Sequence, residues 1–335
     1  MNYKKKRFLV TGACGTIGSL IVKRLLKFGA IVCAFDTYEN GLFELQKSLA
    51  AINVKNLKIF LGDVRGLERL IKASKDVEVI IHCAALKHVE ISEYNSFEAI
   101  LTNITGVQNI IEASIQNKVK KVLFTSSDKA VNPASVMGTT KLLGEKLITA
   151  ANNHKGLNQT IFASVRFGNV LDSNGSVLKI FKKQANLNLP FTVTSEKMSR
   201  YFISIEQATD LCFFALKEMV GGEIFIPKMY SFDILSLVKI ISGKLNPKVI
   251  YTKPTMGEKL FEELVTETEV NRTLVFKSNY VIIPELNKNI TSQKLIKKVL
   301  GKYNKFKKIS KNLRSDQNIS SLKNLKKLLN KSKLA

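Results

Sequence analysis

Phe8-Leu9-Val10-Thr11-Gly12-Ala13-Cys14-Gly15-Thr16-Ile17-Gly18 reads as a buried strand, a glycine turn and the opening of a helix, which continues with Leu20, Ile21, Leu25 and Leu26 on one face. Glycines at this spacing are credible as a dinucleotide site because a strand precedes them and a helix follows. Gly12 would permit the tight turn, Gly15 the approach of backbone to a pyrophosphate, and Gly18 close packing of helix on strand. The helix N-terminus, at Thr16 and Ile17, would then face the phosphate charge.

Outward from this unit, residues 31–35 read as a second strand ending at Asp36, residues 57–61 as a third ending near Asp63, and residues 79–83 and 122–125 continue the series. Helical stretches such as 96–117 separate them, which is the pattern of a parallel sheet covered on both faces. The expected fold is α/β: a Rossmann-type doubly wound parallel sheet with a smaller C-terminal substrate-binding lobe. Regularity weakens after Arg166, with a loop-like stretch at 169–175, Pro190 and Gly221-Gly222, and short segments at 223–227 and 249–251. We expect a dinucleotide-binding domain over 1–165, a substrate lobe over 166–290 whose chain crosses back to the sheet, and a basic helical tail over 291–335. In that tail Ile319, Leu322, Leu325, Leu328 and Leu329 recur at helical spacing, with Asp316 or Ser320 available as a cap.

A carboxylate at Asp36 can accept hydrogen bonds from the adenine-ribose hydroxyls and would repel a 2′-phosphate, since the following Thr37-Tyr38-Glu39-Asn40 offers no Arg or Lys. NAD is therefore expected rather than NADP. Asp63, beside Val64, could bond the adenine amino group or serve as a helix cap or strand-end turn.

With 335 residues, 45% of them hydrophobic and 24% charged, the chain can bury a core of enzyme size. It has no apolar run near the roughly 18–20 residues of a membrane helix, and residues 1–7 lead as a basic stub into a strand, so a cytoplasmic protein is expected. Cys14, Cys33, Cys83 and Cys212 lie scattered in apolar stretches without metal-ligand spacing, which suits buried reduced thiols rather than a disulfide framework or a metal site. The formal charge is +25, and residues 286–335 carry 14 Lys and one Arg against one Asp, so most of the excess is in the tail. A solvated surface is the plain reading of it, and contact with nucleic acid or anionic lipid is the other.

Ser126-Ser127-Asp128-Lys129 and Met137-Gly138-Thr139-Thr140-Lys141 bring an acid, a candidate base and a second lysine into one short stretch. Four residues before Lys141 stands Met137, whose thioether cannot take a proton from an alcohol.

The Gly12, Gly15, Gly18 spacing, His82-Cys83-Ala84-Ala85, Asn103, Ser127 and Lys141 together resemble the extended short-chain dehydrogenase/reductase superfamily. Within it, residues 84–89, Ser126-Ser127-Asp128-Lys129-Ala130-Val131-Asn132-Pro133 and residues 136–141 are similar to the UDP-N-acetylglucosamine 4,6-dehydratases. Residues 166–170, 198–202 and Gly257-Glu258-Lys259 extend the likeness, which covers about residues 7–285. It implies that Lys141 contacts the nicotinamide ribose and that Val64, Ala84, Ala85, Lys87 and Asn103 complete the cofactor site. It implies that NAD takes hydride from carbon 4 of a UDP-sugar and returns it at carbon 6, with Lys129 taking the carbon 5 proton and Asp128 protonating the departing hydroxyl. Lys129 would need to be neutral at the moment of reaction, and a buried site beside Lys141 and the positive nicotinamide is expected to favour that form.

Ser127 would hydrogen-bond the carbon 4 oxygen, while the acceptor of the first alcohol proton, in place of Met137, would be Asp128 or a water and ribose relay to Lys141. Asn169 and Arg200, with Lys87 at the rim, are expected to meet the diphosphate, and Glu258 the uridine ribose; Arg200 as a structural salt bridge is the alternative. Ser173-Asn174-Gly175-Ser176 departs from the Ser-Arg-Gly-Ser turn of the relatives and lacks its arginine. The product would be a 4-keto-6-deoxy sugar for surface polysaccharide or acidic-sugar synthesis, made by a homo-oligomer. A nucleotide-sugar 4-epimerase, or a non-catalytic dinucleotide- or nucleic-acid-binding protein, are the other readings.

Overall fold

The computed structural model describes residues 2–50, 54–156, 158–173, 175–287, 289 and 291–331; Asn174 of the expected diphosphate turn and the last four tail positions lie outside them. The first half runs β1 (Arg7–Thr11), α1 (Thr16–Lys27), β2 (Ile31–Asp36), α2 (Glu39–Ser48), β3 (Leu57–Leu61), α3 (Leu67–Ala73) and β4 (Val79–His82). It continues through α4 (Val89–Tyr94), α5 (Ser96–Ile100), α6 (Gly106–Gln116), β5 (Lys121–Ser127), α7 (Val136–His154) and β6 (Ile161–Phe167). These strands lie parallel in the order β3-β2-β1-β4-β5-β6. Near-continuous apolar strands are what a sheet covered on both faces demands: Val10 sits between Ala34 and Ile81, and the helices close one apolar cluster on each side.

The stretch 96–117 is not one helix. Between α5 and α6 the turn Leu101–Thr105 widens to a π-helix, so that Asn103 faces inward and Gly106 packs against Val64, whose Cγ2 would lie 2.8 Å from an added Cβ.

The second half runs β7 (Asn169–Val170), α8 (Val177–Asn186), β8 (Phe191–Val193), β9 (Ser199–Ile203), α9 (Ile205–Glu218), β10 (Ile224–Pro227), β11 (Tyr230–Asp233), α10 (Ile234–Ser242), β12 (Val249–Tyr251) and β13 (Glu263–Val265). Then come α11 (Glu267–Val270), β14 (Thr273–Phe276), β15 (Asn279–Ile282), α12 (Gln293–Tyr303), β16 (Leu313–Arg314) and α13 (Leu322–Lys331). Three of these strands return to the large sheet: β10 pairs parallel with β6, and β15 and β14 extend it as an antiparallel edge. The lobe proper has its own apolar core, in which Leu171, Phe181, Phe202 and Phe232 meet Leu325, Leu328 and Leu329 of α13.

The end of the tail, α13, is the helix that its apolar spacing predicts, docked by Leu325, Leu328 and Leu329. Helix α12 buries Leu295, Val299 and Tyr303 against the large sheet's core, β16 pairs with β13, and α13 closes the lobe. Neither Asp316 nor Ser320 begins α13 as the sequence pattern suggested. Asp316 binds the Arg314 guanidinium at 2.7 Å, and the Ser320 N–H donates to Ser231 O, so Ile319-Ser320 prolongs the edge of β11 before the helix starts at Leu322. Among the described residues no helix is long and apolar enough to cross a membrane, and no group of His, Cys, Asp or Glu gathers as metal ligands.

Candidate active site

A cavity of about 730 Å³ opens over the C-terminal ends of the parallel strands and reaches into the second lobe. This is where a doubly wound sheet leaves room, because its connections diverge there. Gly12, Gly15, Thr16, Ile17, Gly18, Asp36, Asp63, Val64, Ala84, Ala85 and Lys87 all line it, and so do Ser127, Lys129, Met137, Lys141 and Asn169.

The glycine loop fits a dinucleotide. An added Cβ would lie 2.7 Å from Ala84 N at Gly12 and 2.1 Å from Gly12 O at Gly18, so only bare backbone can close this cradle. Gly15 caps α1 without a side-chain cap bond, so bare backbone meets the cavity at the helix N-terminus, the end that favours a negative charge. Asp36 ends β2 with Oδ2 accepting from Cys14 N at 2.9 Å and Oδ1 from Tyr38 N at 3.1 Å, which fixes the carboxylate on the cavity wall. Burial, then the Asp36 charge, push the Cys14 thiol up to about 12, so it stays protonated. Asp63 Oδ1 accepts from Arg65 N at 2.9 Å, the strand-end turn, while the residue still faces the cavity. Arg65, which the sequence reading did not single out, also lines the cavity, its guanidinium held 2.7 Å from Glu98.

Asn103 stands behind the wall. Its amide accepts from Leu86 N at 2.8 Å and donates to Leu86 O at 3.0 Å and Thr140 Oγ1 at 2.9 Å, which locks the loop carrying Ala84, Ala85 and Lys87. His82 is likewise interior: it pairs with Thr11 Oγ1 at 2.7 Å, and burial lowers its pKa to about 3.

The reacting groups sit where β5 runs into α7. Ser127 Oγ donates to Asp128 Oδ1 at 2.8 Å and accepts from Lys129 N at 3.3 Å, closing a single 3-10 turn over Asp128–Ala130. Ser135 caps α7 by accepting from Gly138 N at 3.1 Å. Gly138 then lies so close to the turn that an added Cβ would stand 2.3 Å from Lys129 O. One helical turn apart on α7, Met137 and Lys141 both face the cavity. Lys141 donates to Thr125 O at 2.9 Å with its ammonium 4.7 Å from the Phe124 ring centroid. Burial lowers its pKa to about 8, against the smaller opposing influence of Cys83 and Glu145. Met137 is 3% exposed, and its thioether offers the cavity no group that could take an alcohol proton.

Lys129 departs from expectation. Its Nζ lies 3.2 Å from Asp128 Oδ1, 3.1 Å from Asn169 Oδ1 and 3.5 Å from Glu262 Oε1. Burial by itself would release the proton, but Asp128 and Glu262 outweigh it, with Arg200 opposing them, and hold the pKa above the ordinary lysine value. The resting site therefore carries an ammonium, not the neutral amine anticipated from burial beside Lys141.

Asp128 is wholly buried behind Lys129, and its Oδ2 has no hydrogen-bond partner among the described residues.

Arg200 and Glu258 are also placed differently from the sequence reading, neither of them lining the cavity. The Arg200 guanidinium donates to Ser199 O at 2.8 Å and Leu260 O at 3.2 Å, and lies 3.7 Å from Glu258 and 3.8 Å from Glu262. Glu258 accepts from Thr194 Oγ1 at 3.1 Å and Thr255 Oγ1 at 3.3 Å, which staples its loop to the end of β8. The structural reading of Arg200 is thus the one the geometry supports. At the rim, Lys87 has its pKa lowered by burial and by the charge of Lys179, and Gly175 packs over His88. Glu262 was missed: it follows the quoted Gly257-Glu258-Lys259 by three positions, and only the folded chain brings it to Lys129.

Comparison with known proteins gives the site a family context. The family described as polysaccharide biosynthesis protein matches residues 8–284. A UDP-N-acetylglucosamine 4,6-dehydratase (inverting) of Campylobacter jejuni is 40% identical over 290 residues, 85% of this chain and 84% of that one. A UDP-glucose 4-epimerase of Rickettsia bellii is 35% identical over 286 residues, 83% of each chain. The crystal structure of Pen from Bacillus thuringiensis superposes with a TM-score of 0.90 at 38% identity, covering 100% of both chains. Further solved structures of this fold, at 21–25% identity, are complexes with NAD.

Proposed function

Because the chain belongs to the polysaccharide biosynthesis protein family, and its relatives include nucleotide-sugar dehydratases and epimerases, we propose that it is an NAD-dependent UDP-N-acetylglucosamine 4,6-dehydratase. The observation that carries this reading is the Asp128–Lys129 pair set beside the cavity, with Met137, which cannot take a proton, on the wall one helical turn before Lys141. An epimerase has no step that needs an acid and a base at carbons 6 and 5. It does need a group to take and return the carbon 4 alcohol proton, which methionine cannot do.

A nicotinamide dinucleotide held by the glycine loop and Asp36 would supply the oxidation at carbon 4 and the reduction at carbon 6. The chain's own groups supply the elimination between them. The ion pair becomes an amine and a carboxylic acid when one proton crosses the 3.2 Å from Lys129 Nζ to Asp128 Oδ1. That exchange produces the two forms the elimination requires: Lys129 takes the carbon 5 proton and Asp128 protonates the leaving hydroxyl. Ser127, on the cavity wall, would hydrogen-bond the carbon 4 oxygen in exchange for its bond to Asp128, and Lys141 would hold positive charge near the cofactor ribose. Because Asp128 already holds the proton from Lys129, the first alcohol proton passes by a water and ribose relay to the neutral form of Lys141. Lys87 and Asn169, both on the wall, are proposed for the diphosphate. The cytoplasmic location and the homo-oligomer expected from the sequence belong to the same proposal.

The test is to incubate the protein with UDP-N-acetylglucosamine in deuterated water and follow the sugar by proton NMR. A 6-methyl signal with deuterium at carbon 5 is expected, and the coupling constants give the carbon 5 configuration. A 4-epimer without deuterium would replace this reading with the epimerase.

A further inference from the structure

Glu262 is 3% exposed, outside the cavity wall, and faces the reaction centre from the second lobe. Its Oε1 lies 3.5 Å from Lys129 Nζ and 3.8 Å from Arg200 Nε, and its Oε2 is buried with no hydrogen-bond partner among the described residues. A carboxylate kept in such a place is costly unless a charge repays its desolvation, and the nearest cations are Lys129 and Arg200. Lys259 Nζ is further, at 4.0 Å, and donates instead to Val131 O at 2.7 Å.

The backbone of Glu262 is fixed by the tail. Glu262 N donates to Ser315 Oγ at 2.9 Å, and Ser315 N donates to Glu262 O at 2.9 Å. Ser315, itself fully buried, also pairs with Ser199 Oγ at 2.7 Å, and its carbonyl accepts from Ser231 Oγ. The neighbouring Glu263 turns away, to Asn132 at 2.7 Å and Asn312 at 3.2 Å.

We infer that Glu262 is a positioning residue for Lys129, a second counter-ion that stabilises its ammonium, and that the tail residue Ser315 holds it in place. The inference rests on Lys129 being the base of the proposed reaction. Lys129 is an ammonium at rest and again once it has taken the carbon 5 proton, so Glu262 stabilises both states: it makes the free amine a stronger base, it opposes the transfer to Asp128 that frees the amine, and it thereby sets the pH at which Lys129 works. The charged groups facing Lys129 are Asp128 from its own turn, and Glu262 and Arg200 from the second lobe; Glu258 bears on Arg200 and Lys259 on Glu262. The upward displacement of the Lys129 pKa, with Glu262 among its causes, agrees with this arrangement.

The test measures Lys129 directly. Trace acetylation of the full-length protein with acetic anhydride across a pH series, quantified by mass spectrometry of the Lys129 peptide, gives the midpoint at which the amine becomes reactive. In Glu262→Gln this midpoint should fall by about one unit or more, the effect of losing an opposite charge within about 4–6 Å, and the acid limb of the kcat–pH profile should move to lower pH by a similar amount with little change in KM. Glu262→Asp, which keeps the charge, should restore most of both.

An unchanged midpoint in Glu262→Gln overturns the inference whatever the activity. A shifted midpoint in a protein that dehydrates no UDP-sugar upholds the Glu262–Lys129 coupling and overturns the proposed reaction instead. If Glu262→Gln does not fold, Ser315→Ala carries the test: loosening Glu262 should move the midpoint in the same direction, and an unmoved midpoint sinks the idea.

Discussion

Lys129 meets two carboxylates and one amide oxygen within 3.5 Å, and in the proposed reaction it exchanges its proton with the sugar that enters the cavity. Lys129→Ala should lower turnover by at least about 10³-fold while leaving the affinity for NAD within about threefold, because none of the cofactor-cradle contacts involves it. Retained turnover in that variant would remove the assigned base. Lys141 poses the opposite problem, since burial disfavours its charge. Its folded pKa of about 8 is below the ordinary 10.5, so between these values the unfolded chain binds the proton that the folded one has lost. Its contribution to stability therefore rises with pH through that window, and below about pH 8 the penalty is present in full. Lys141→Met should raise the melting temperature at pH 7 by a few degrees while abolishing turnover, as active-site charges often do. A lowered melting temperature would mean that the bond to Thr125 O and the Phe124 ring outweigh the cost of burial.

Among the elements, α7 shows how backbone proximity sets side-chain chemistry. Gly138 lets the helix touch the Asp128–Ala130 turn, and a methyl group there must push the turn away from the wall. Gly138→Ala should cost turnover about 10²-fold, the scale of a misplacement near 1 Å, with NAD binding retained. A fully active variant would show that the turn can shift without harm. The parallel strands and the glycine loop were legible in the sequence because apolar runs and turn glycines are local signals. The π-turn at Leu101–Thr105 was not, since what selects it is a tertiary demand, the inward amide of Asn103 and the contact of Gly106 with Val64. For the same reason Asp128 and Lys129 could be read from adjacency, but Glu262 could not, and Arg200 and Glu258 were assigned to a ligand when the fold ties them to Leu260 O and Thr194.

On the scale of the whole molecule, the tail ties the two halves together, with α12 on the large sheet and α13 in the lobe's core. Leu325, fully buried there, is a single test of that closure. Leu325→Ala should destabilise the protein by about 2–5 kcal/mol, read by denaturant unfolding, and a change below about 1 kcal/mol would show that α13 only rests on the surface.

The pinning of Glu262 by Ser315 also bears on the order in which the protein assembles. The strands β1 to β6 can form from neighbouring units as the chain is made, whereas the surroundings of Lys129 are completed by Glu262, far down the chain, and Glu262 in turn is pinned by Ser315, further still. Contacts of such long sequence separation form slowly. On refolding from denaturant, the capacity to bind NAD should return before turnover does, so that for a time the protein is a competent cofactor carrier with an unfinished reaction centre. Simultaneous recovery of the two would show that both halves fold in one step.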